Sequence, residues 1–198
     1  MLELEYFLER KLLLGRRQFF APEFCTQLIG EMNSQPGVDA SVYKGSGKQQ
    51  SPERKTRLQR VMPESYFQIQ QHIKALYPDF EAFFQVQPSG METMQFLKYE
   101  AGHYFKPHSD ASVPEGHAKR RITFVVFLNT QLSESEQHTQ GFRGGSLVFY
   151  GPSRPGQSQV GLPLRCEQGM LVAFHPAIIH EVRPVEWGQR YTVIGWLI

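Results

Sequence analysis

From residue 94 onward the chain breaks into six short apolar runs, 94–99, 121–128, 145–150, 169–174, 180–185 and 191–198. Turn-forming pairs separate them, among them Ala101-Gly102, Gly144-Gly145, Gly151-Pro152 and Gly188-Gln189. Strands this short, closed by glycine-rich turns and not by intervening helices, do not build an alternating parallel sheet. They predict a β-sandwich or jelly roll.

The first half has a different period. Pro22 opens a stretch with Phe24, Leu28, Ile29 and Met32 at helical spacing, which stops before Pro36-Gly37. Pro63 opens a second, with Tyr66, Phe67, Ile69, Ile73 and Leu76 in one stripe ended by Tyr77-Pro78. Such stripes are packing faces, and their predicted task is to cover one face of the sheet. Between them, residues 39–60 are polar and carry Gly45-Ser46-Gly47, a hairpin or flap beside a site. The expected fold class is mainly β with helical cover (α+β). At 198 residues, without repeat or linker, the expectation is a single domain over 1–198: helical support and flap in 1–93, β core in 94–198.

Composition removes several function classes. Twenty-one basic and 19 acidic residues leave a net charge of +2, so no electrostatic footprint argues for nucleic acid. The run from Arg54 to Arg60 reads as solvated charge on a loop or lid. Cys25 and Cys166 lack C-x-x-C spacing, which fits a reducing compartment. The N-terminal residues lack the features of a signal peptide, and no apolar run reaches about 18 residues, so a cytoplasmic protein away from membranes is expected.

The chemistry sits in His108-Ser109-Asp110 and His180. On an extended strand, residues i and i+2 share a face, so His108 and Asp110 can aim at one point with Ser109 turned away. A third ligand must come from another strand, and His180 is the best placed. Two imidazoles and a carboxylate that leave positions open suit Fe(II). Arg190 adds a constraint, because it opens the apolar run Arg190-Tyr191-Thr192-Val193-Ile194-Gly195-Trp196, where an unpaired guanidinium is costly to bury. Its planar fork suits a carboxylate, either internal or on a bound ligand. His103 and His175 are expected to pack or to support the ligands, since four protein ligands would close a catalytic site. His72, His117 and His138 are expected at the surface.

These residues resemble the prolyl 4-hydroxylase-like branch of the 2-oxoglutarate and Fe(II)-dependent dioxygenases. The resemblance runs from Phe96 to Trp196 through Leu97-Lys98-Tyr99, Gly102-His103-Tyr104, His108-Ser109-Asp110, Arg121-Ile122-Thr123, Phe127-Leu128-Asn129, Gly144-Gly145-Ser146-Leu147, Gly169 to Phe174, His180-Glu181-Val182 and Arg190-Tyr191. It implies a double-stranded β-helix, a cupin-like jelly roll with the N-terminal helices on one sheet. By the same resemblance His108, Asp110 and His180 hold iron, and Arg190 pairs with the distal carboxylate of 2-oxoglutarate. Tyr99, Thr123, Leu147 and Trp196 match positions that line the cosubstrate pocket. Phe127 departs from the pattern, because many relatives carry a tyrosine there; Tyr99 or Thr123 must donate in its place. Fe(II), 2-oxoglutarate and O2 are the implied cofactors, with ascorbate as an accompanying one. Retention of Asp110 implies hydroxylation, since related halogenases replace this carboxylate with a small residue.

The resemblance points to an aliphatic C–H of a prolyl residue in a protein or peptide as the target. A free amino acid or small metabolite is the alternative within the class. A non-catalytic β-sandwich module that keeps metal ligands has no need of three ligands and an anchoring arginine together. A zinc hydrolase lacks an obvious general base beside the metal.

Overall fold

The computed structural model describes residues 2–40, 42–44, 47–49, 51–111, 119–136, 140–151 and 161–198. Helices span Leu2–Glu9 (α1), Pro22–Asn33 (α2), Pro63–Ala75 (α3) and Tyr77–Phe84 (α4). The early strands are Leu13–Arg16 (β1), Val38–Asp39 (β2), Val42–Lys44 (β3), Gly47–Gln49 (β4), Arg54–Lys55 (β5) and Arg57–Gln59 (β6). There follow Gln95–Tyr99 (β7), Tyr104–His108 (β8), Ile122–Phe127 (β9), Phe142–Gly144 (β10) and Leu147–Tyr150 (β11). Gly161–Leu164 (β12), Leu171–Phe174 (β13), Ile179–Val182 (β14), Val185–Gly188 (β15) and Arg190–Leu197 (β16) complete the order.

Seven strands form one sheet in the order β1-β13-β9-β16-β7-β6-β2, and five form the facing sheet, β12-β11-β14-β8-β5. Antiparallel pairing throughout these two sheets gives the jelly roll that the short strands predict.

Strand alternation divides the large sheet into two faces with different tasks. Phe96, Ile122, Phe124, Val126, Tyr191, Val193 and Leu197 pack with Leu28 and Met32 of α2, Ile69 and Ile73 of α3, and Phe80 of α4 in one buried cluster. The intervening residues Leu97, Tyr99, Val125 and Phe127 face the other sheet and join Leu147, Phe149 and Val182. Phe124 lies opposite Gly195 in the ladder, and a Cβ at Gly195 would stand 2.4 Å from the Phe124 ring. The ring thus needs a glycine beneath it, and truncating Phe124 would cost about 3–5 kcal/mol of core packing.

Three expectations are corrected here. Tyr77-Pro78 does not simply end the helical half: α4 begins there, because a proline in the first turn starts a helix as readily as it stops the previous one. Phe67 leaves the buried stripe and is 60% exposed. The predicted strand 180–185 is two strands, β14 and β15, divided at Arg183-Pro184 where proline cannot donate to a ladder. The expected hairpin in 39–60 forms from β3 and β4, paired Val42 to Gln49, while its tip at Gly45-Ser46 lies outside the described residues.

Candidate active site

The two histidines meet because β8 and β14 are neighbours and pair His108 directly with His180. Their rings are 4.3 Å apart between centroids. A register shift follows immediately in β14, between His180 and Val182, so the pair sits at an irregularity of the sheet. Each imidazole places Nδ1 against the carbonyl two residues earlier: Lys106 at 2.8 Å for His108 and Ile178 at 2.9 Å for His180. A carbonyl only accepts, so both Nδ1 atoms carry the proton and both Nε2 lone pairs are free to bind.

Asp110 arrives differently from the way the sequence suggests. It is not on the strand with His108, which ends β8; it lies in the following turn. The Pro176 carbonyl accepts from the Asp110 amide at 2.9 Å and from the Ser109 hydroxyl at 3.1 Å. That turn delivers the carboxylate to Nε2 of both histidines, Oδ1 at 3.7 Å from His108 and Oδ2 at 3.6 Å from His180. One ligand atom from each of the three residues lies within 4.8 Å of the others. Burial alone would raise the Asp110 carboxyl, but His180 and His108 beside it hold it below the usual carboxylate range. Burial and the neighbouring His180 push His108 below the ordinary histidine value, with Asp110 opposing. With Nδ1 of each ring turned to a carbonyl, two Nε2 atoms and a carboxylate converge, the donor set a divalent iron would require.

Thr123 does not line the cavity. Its hydroxyl donates to Asp110 Oδ2 at 2.9 Å, and the residue is fully buried behind the carboxylate. Arg120 fixes the other side of the same turn: it donates to the Asp110 carbonyl at 3.3 Å, is held by both Glu92 carboxylate oxygens at 2.8 and 2.9 Å, and lies 3.8 Å over the Trp196 ring.

Alternation on β16 turns Arg190, Thr192, Ile194 and Trp196 into a cavity shared with Gln95, Leu97, Tyr99, Leu147 and the three candidate ligands. Arg190 is 1% exposed. Its guanidinium stands 5.0 Å from the Tyr99 ring and 5.2 Å from that of Phe127. Among the described residues no carboxylate pairs with it, and its buried Nε has no hydrogen-bond partner. Burial lowers the Arg190 pKa while Tyr99 and then Cys166 act to raise it. Gly145, at φ +60°, leaves the room this side chain uses, since a Cβ there would come 3.2 Å from Arg190 Cδ.

Sequence reading missed Arg54 as a cavity residue, because its signal is a basic run of the kind that is usually solvated. On β5 it instead turns inward, donating to Gln95 Oε1 at 3.3 Å, with its guanidinium 4.9 Å over Phe105. Thr192 and Ile194 were legible from their alternation with Arg190 and Trp196. His103 is buried as expected, whereas His175 is exposed, its Nδ1 accepting from the Ala177 amide. His72 is exposed; His117 and His138 lie outside the described residues.

Residues 94–198, just over half the chain, match the 2OG-Fe(II) oxygenase superfamily. A PKHD-type hydroxylase of Maricaulis maris is 28% identical over 111 residues, 56% of this chain and 44% of that protein. A second, from Idiomarina loihiensis, is 28% identical over 112 residues, 57% of this chain and 44% of its own. The chain therefore spans less than half the length of these curated relatives. Among solved structures, a Pseudomonas putida prolyl-4-hydroxylase superposes with a TM-score of 0.71 at 19% identity, covering 100% of this chain and 98% of that one. A Trichoplax adhaerens prolyl hydroxylase in complex with a peptide fragment of hypoxia inducible factor also gives 0.71, at 17% identity, covering 98% and 86%. These likenesses show the shared fold.

Proposed function

The chain belongs to the 2OG-Fe(II) oxygenase superfamily, and from that premise we propose that it is a hydroxylase of an aliphatic C–H, acting on a prolyl residue of a protein or peptide. Fe(II), 2-oxoglutarate and O2 are its cofactors in this reading, and residues 1–198 act as one catalytic unit. The observation that carries it is the convergence of three ligand atoms within 4.8 Å beside a cavity whose inner wall holds a buried arginine with no acid paired to it among the described residues.

Each residue has a task that its geometry supports. His108, Asp110 and His180 are the metal ligands, with the Nδ1 hydrogen bonds fixing both rings for binding through Nε2. Thr123 and Arg120 orient Asp110 from either side. Arg190 offers its fork to the far carboxylate of the cosubstrate, which a buried arginine with no carboxylate partner among the described residues is suited to receive. Tyr99 supplies the phenol that Phe127 cannot; Leu147 and Trp196 are apolar walls that exclude water. Iron with 2-oxoglutarate and O2 supplies the oxidising chemistry, coupling decarboxylation of the cosubstrate to hydroxylation.

The peptide half of the reading is supported by the peptide complex of the Trichoplax adhaerens enzyme and the prolyl-4-hydroxylase neighbour. No helix among the described residues is long and apolar enough to cross a membrane. The test is succinate release from 2-oxoglutarate with and without Fe(II), together with mass spectrometry of proline-containing peptides for one added oxygen. Ascorbate is tested in the same assay by its omission. Metal-dependent succinate with oxygen on proline supports the proposal; oxygen on a free amino acid, with peptides ignored, replaces its substrate.

A further inference from the structure

Beside the mouth of the cavity, β5 and β6 carry Arg54, Lys55 and Arg57, and alternation splits them between two surfaces. Arg54 and Thr56 turn inward; Thr56 is 3% exposed and its hydroxyl donates to the Lys98 carbonyl at 2.9 Å. Lys55 and Arg57 turn the other way, into a groove bounded also by Asp39, Ser51 and His103. Arg54 borders both the groove and the metal-site cavity, so the two lie side by side with this residue as their common wall.

The groove is electropositive. Arg57 donates to the Gly37 carbonyl at 2.7 Å and stands 3.8 Å from Asp39. Lys55 is exposed and makes no ion pair among the described residues. His103 is 8% exposed, with Nε2 3.9 Å from Glu100 and a buried Nδ1 that has no partner among the described residues. Burial keeps the His103 imidazole below its usual range, against Glu100 and with Lys55 and Arg57, so it is uncharged at neutral pH and adds a polar ring nitrogen.

Distance decides what can use the groove and the metal together. β5 pairs with β8, Arg54 to Phe105 and Lys55 to Tyr104, and β8 ends at His108. Three to four residues of strand separate those partners from the ligand, roughly 10–13 Å at the usual rise. A free amino acid is too short to span that gap, whereas an extended peptide crosses it in about three or four residues.

We propose that the groove of Lys55, Arg57 and His103 docks an acidic side chain of the substrate peptide, placed about three or four residues from the residue presented to the metal site. The inference rests on the peptide-hydroxylase reading and adds a charge rule to it. It is tested with a host peptide carrying one proline and, about three or four residues to either side, glutamate, glutamine or lysine, with KM and kcat read by mass spectrometry. Glutamate on one side is expected to lower KM by about threefold to fivefold relative to glutamine, the size of an exposed ion pair, with kcat unchanged. Lys55→Glu should reverse the preference toward lysine, and added salt should erase it in the parent enzyme. Turnover of the glutamine peptide by the variant reports that it is folded; for a variant without it, salt sensitivity of the glutamate preference decides. Equal KM for all three peptides, or a preference that survives both charge reversal and salt, overturns the groove assignment alone. Hydroxylation of a free amino acid with every peptide ignored overturns the peptide reading and this inference with it.

Discussion

His108 and His180 are direct cross-strand partners, and each gives its Nδ1 proton to the carbonyl two residues before it. The sheet thus sets both the separation of the two imidazoles and the nitrogen that each presents. β14 and β8 hold this arrangement by their own ladder, which positions both rings before any ligand is considered. His180→Ala is expected to abolish metal-dependent turnover and to lose Mn(II) binding by calorimetry while keeping the far-UV circular dichroism of the parent. Retained metal affinity would remove His180 from the ligand set.

Thr123 gives its hydroxyl proton to the Asp110 carboxylate. Thr123→Val keeps the shape and deletes the hydroxyl, so metal affinity is expected to fall by about tenfold to a hundredfold with the KM for 2-oxoglutarate little changed. Thr123→Ser should restore most of it. A variant that instead raises the 2-oxoglutarate KM would return Thr123 to the cosubstrate pocket.

Arg190 carries a charge into the core without an internal acid among the described residues. Arg190→Met removes that burial cost, so the metal-free variant should melt no lower than the parent. It should also lose ligand protection: hundredfold excess 2-oxoglutarate over its dissociation constant stabilises a binding protein by about 2.7 kcal/mol, and the variant should gain none. Equal stabilisation of both by 2-oxoglutarate would place the distal carboxylate elsewhere.

Much of this was legible in the sequence because period and ligand chemistry are local properties. The β16 alternation needs only residues 190–196 to place Arg190 and Trp196 on one face. What was not legible depends on partners far away in the chain. Asp110 owes its position to the Pro176 carbonyl and Arg120 to Glu92, contacts that no local window contains. Arg54 is the sharpest case: its neighbour Lys55 is exposed as solvated charge should be, but the run lies on β5 and β6 and not on a loop, and only the pairing of β5 with β8 reveals that Arg54 faces inward. The extended strand expected at His108 exists as β8, but it ends at that residue and leaves Asp110 to the following turn.

The thiols offer a check on packing away from the site. Burial pushes Cys25 up to about 12 and Cys166 up to about 11. Both are therefore protonated in the folded state at pH 8 and should resist a thiol reagent until the protein unfolds. The linkage has a definite sign: the folded-state values lie above the unfolded value of 9.0, so this contribution to stability is complete below pH 9 and is lost as pH rises toward 11–12. Melting temperature measured from pH 7 to 10.5 should fall over the upper part of that range, and less steeply in Cys166→Ala. Rapid labelling of either thiol in the native protein would contradict the packing around it.

The most direct test is a crystal structure with Mn(II) and an unreactive 2-oxoglutarate analogue. The account expects an anomalous peak bonded to His108 Nε2, Asp110 and His180 Nε2, with the analogue chelating it and its far carboxylate on both terminal nitrogens of Arg190. Metal bound elsewhere, or an analogue whose far carboxylate does not reach Arg190, would contradict it.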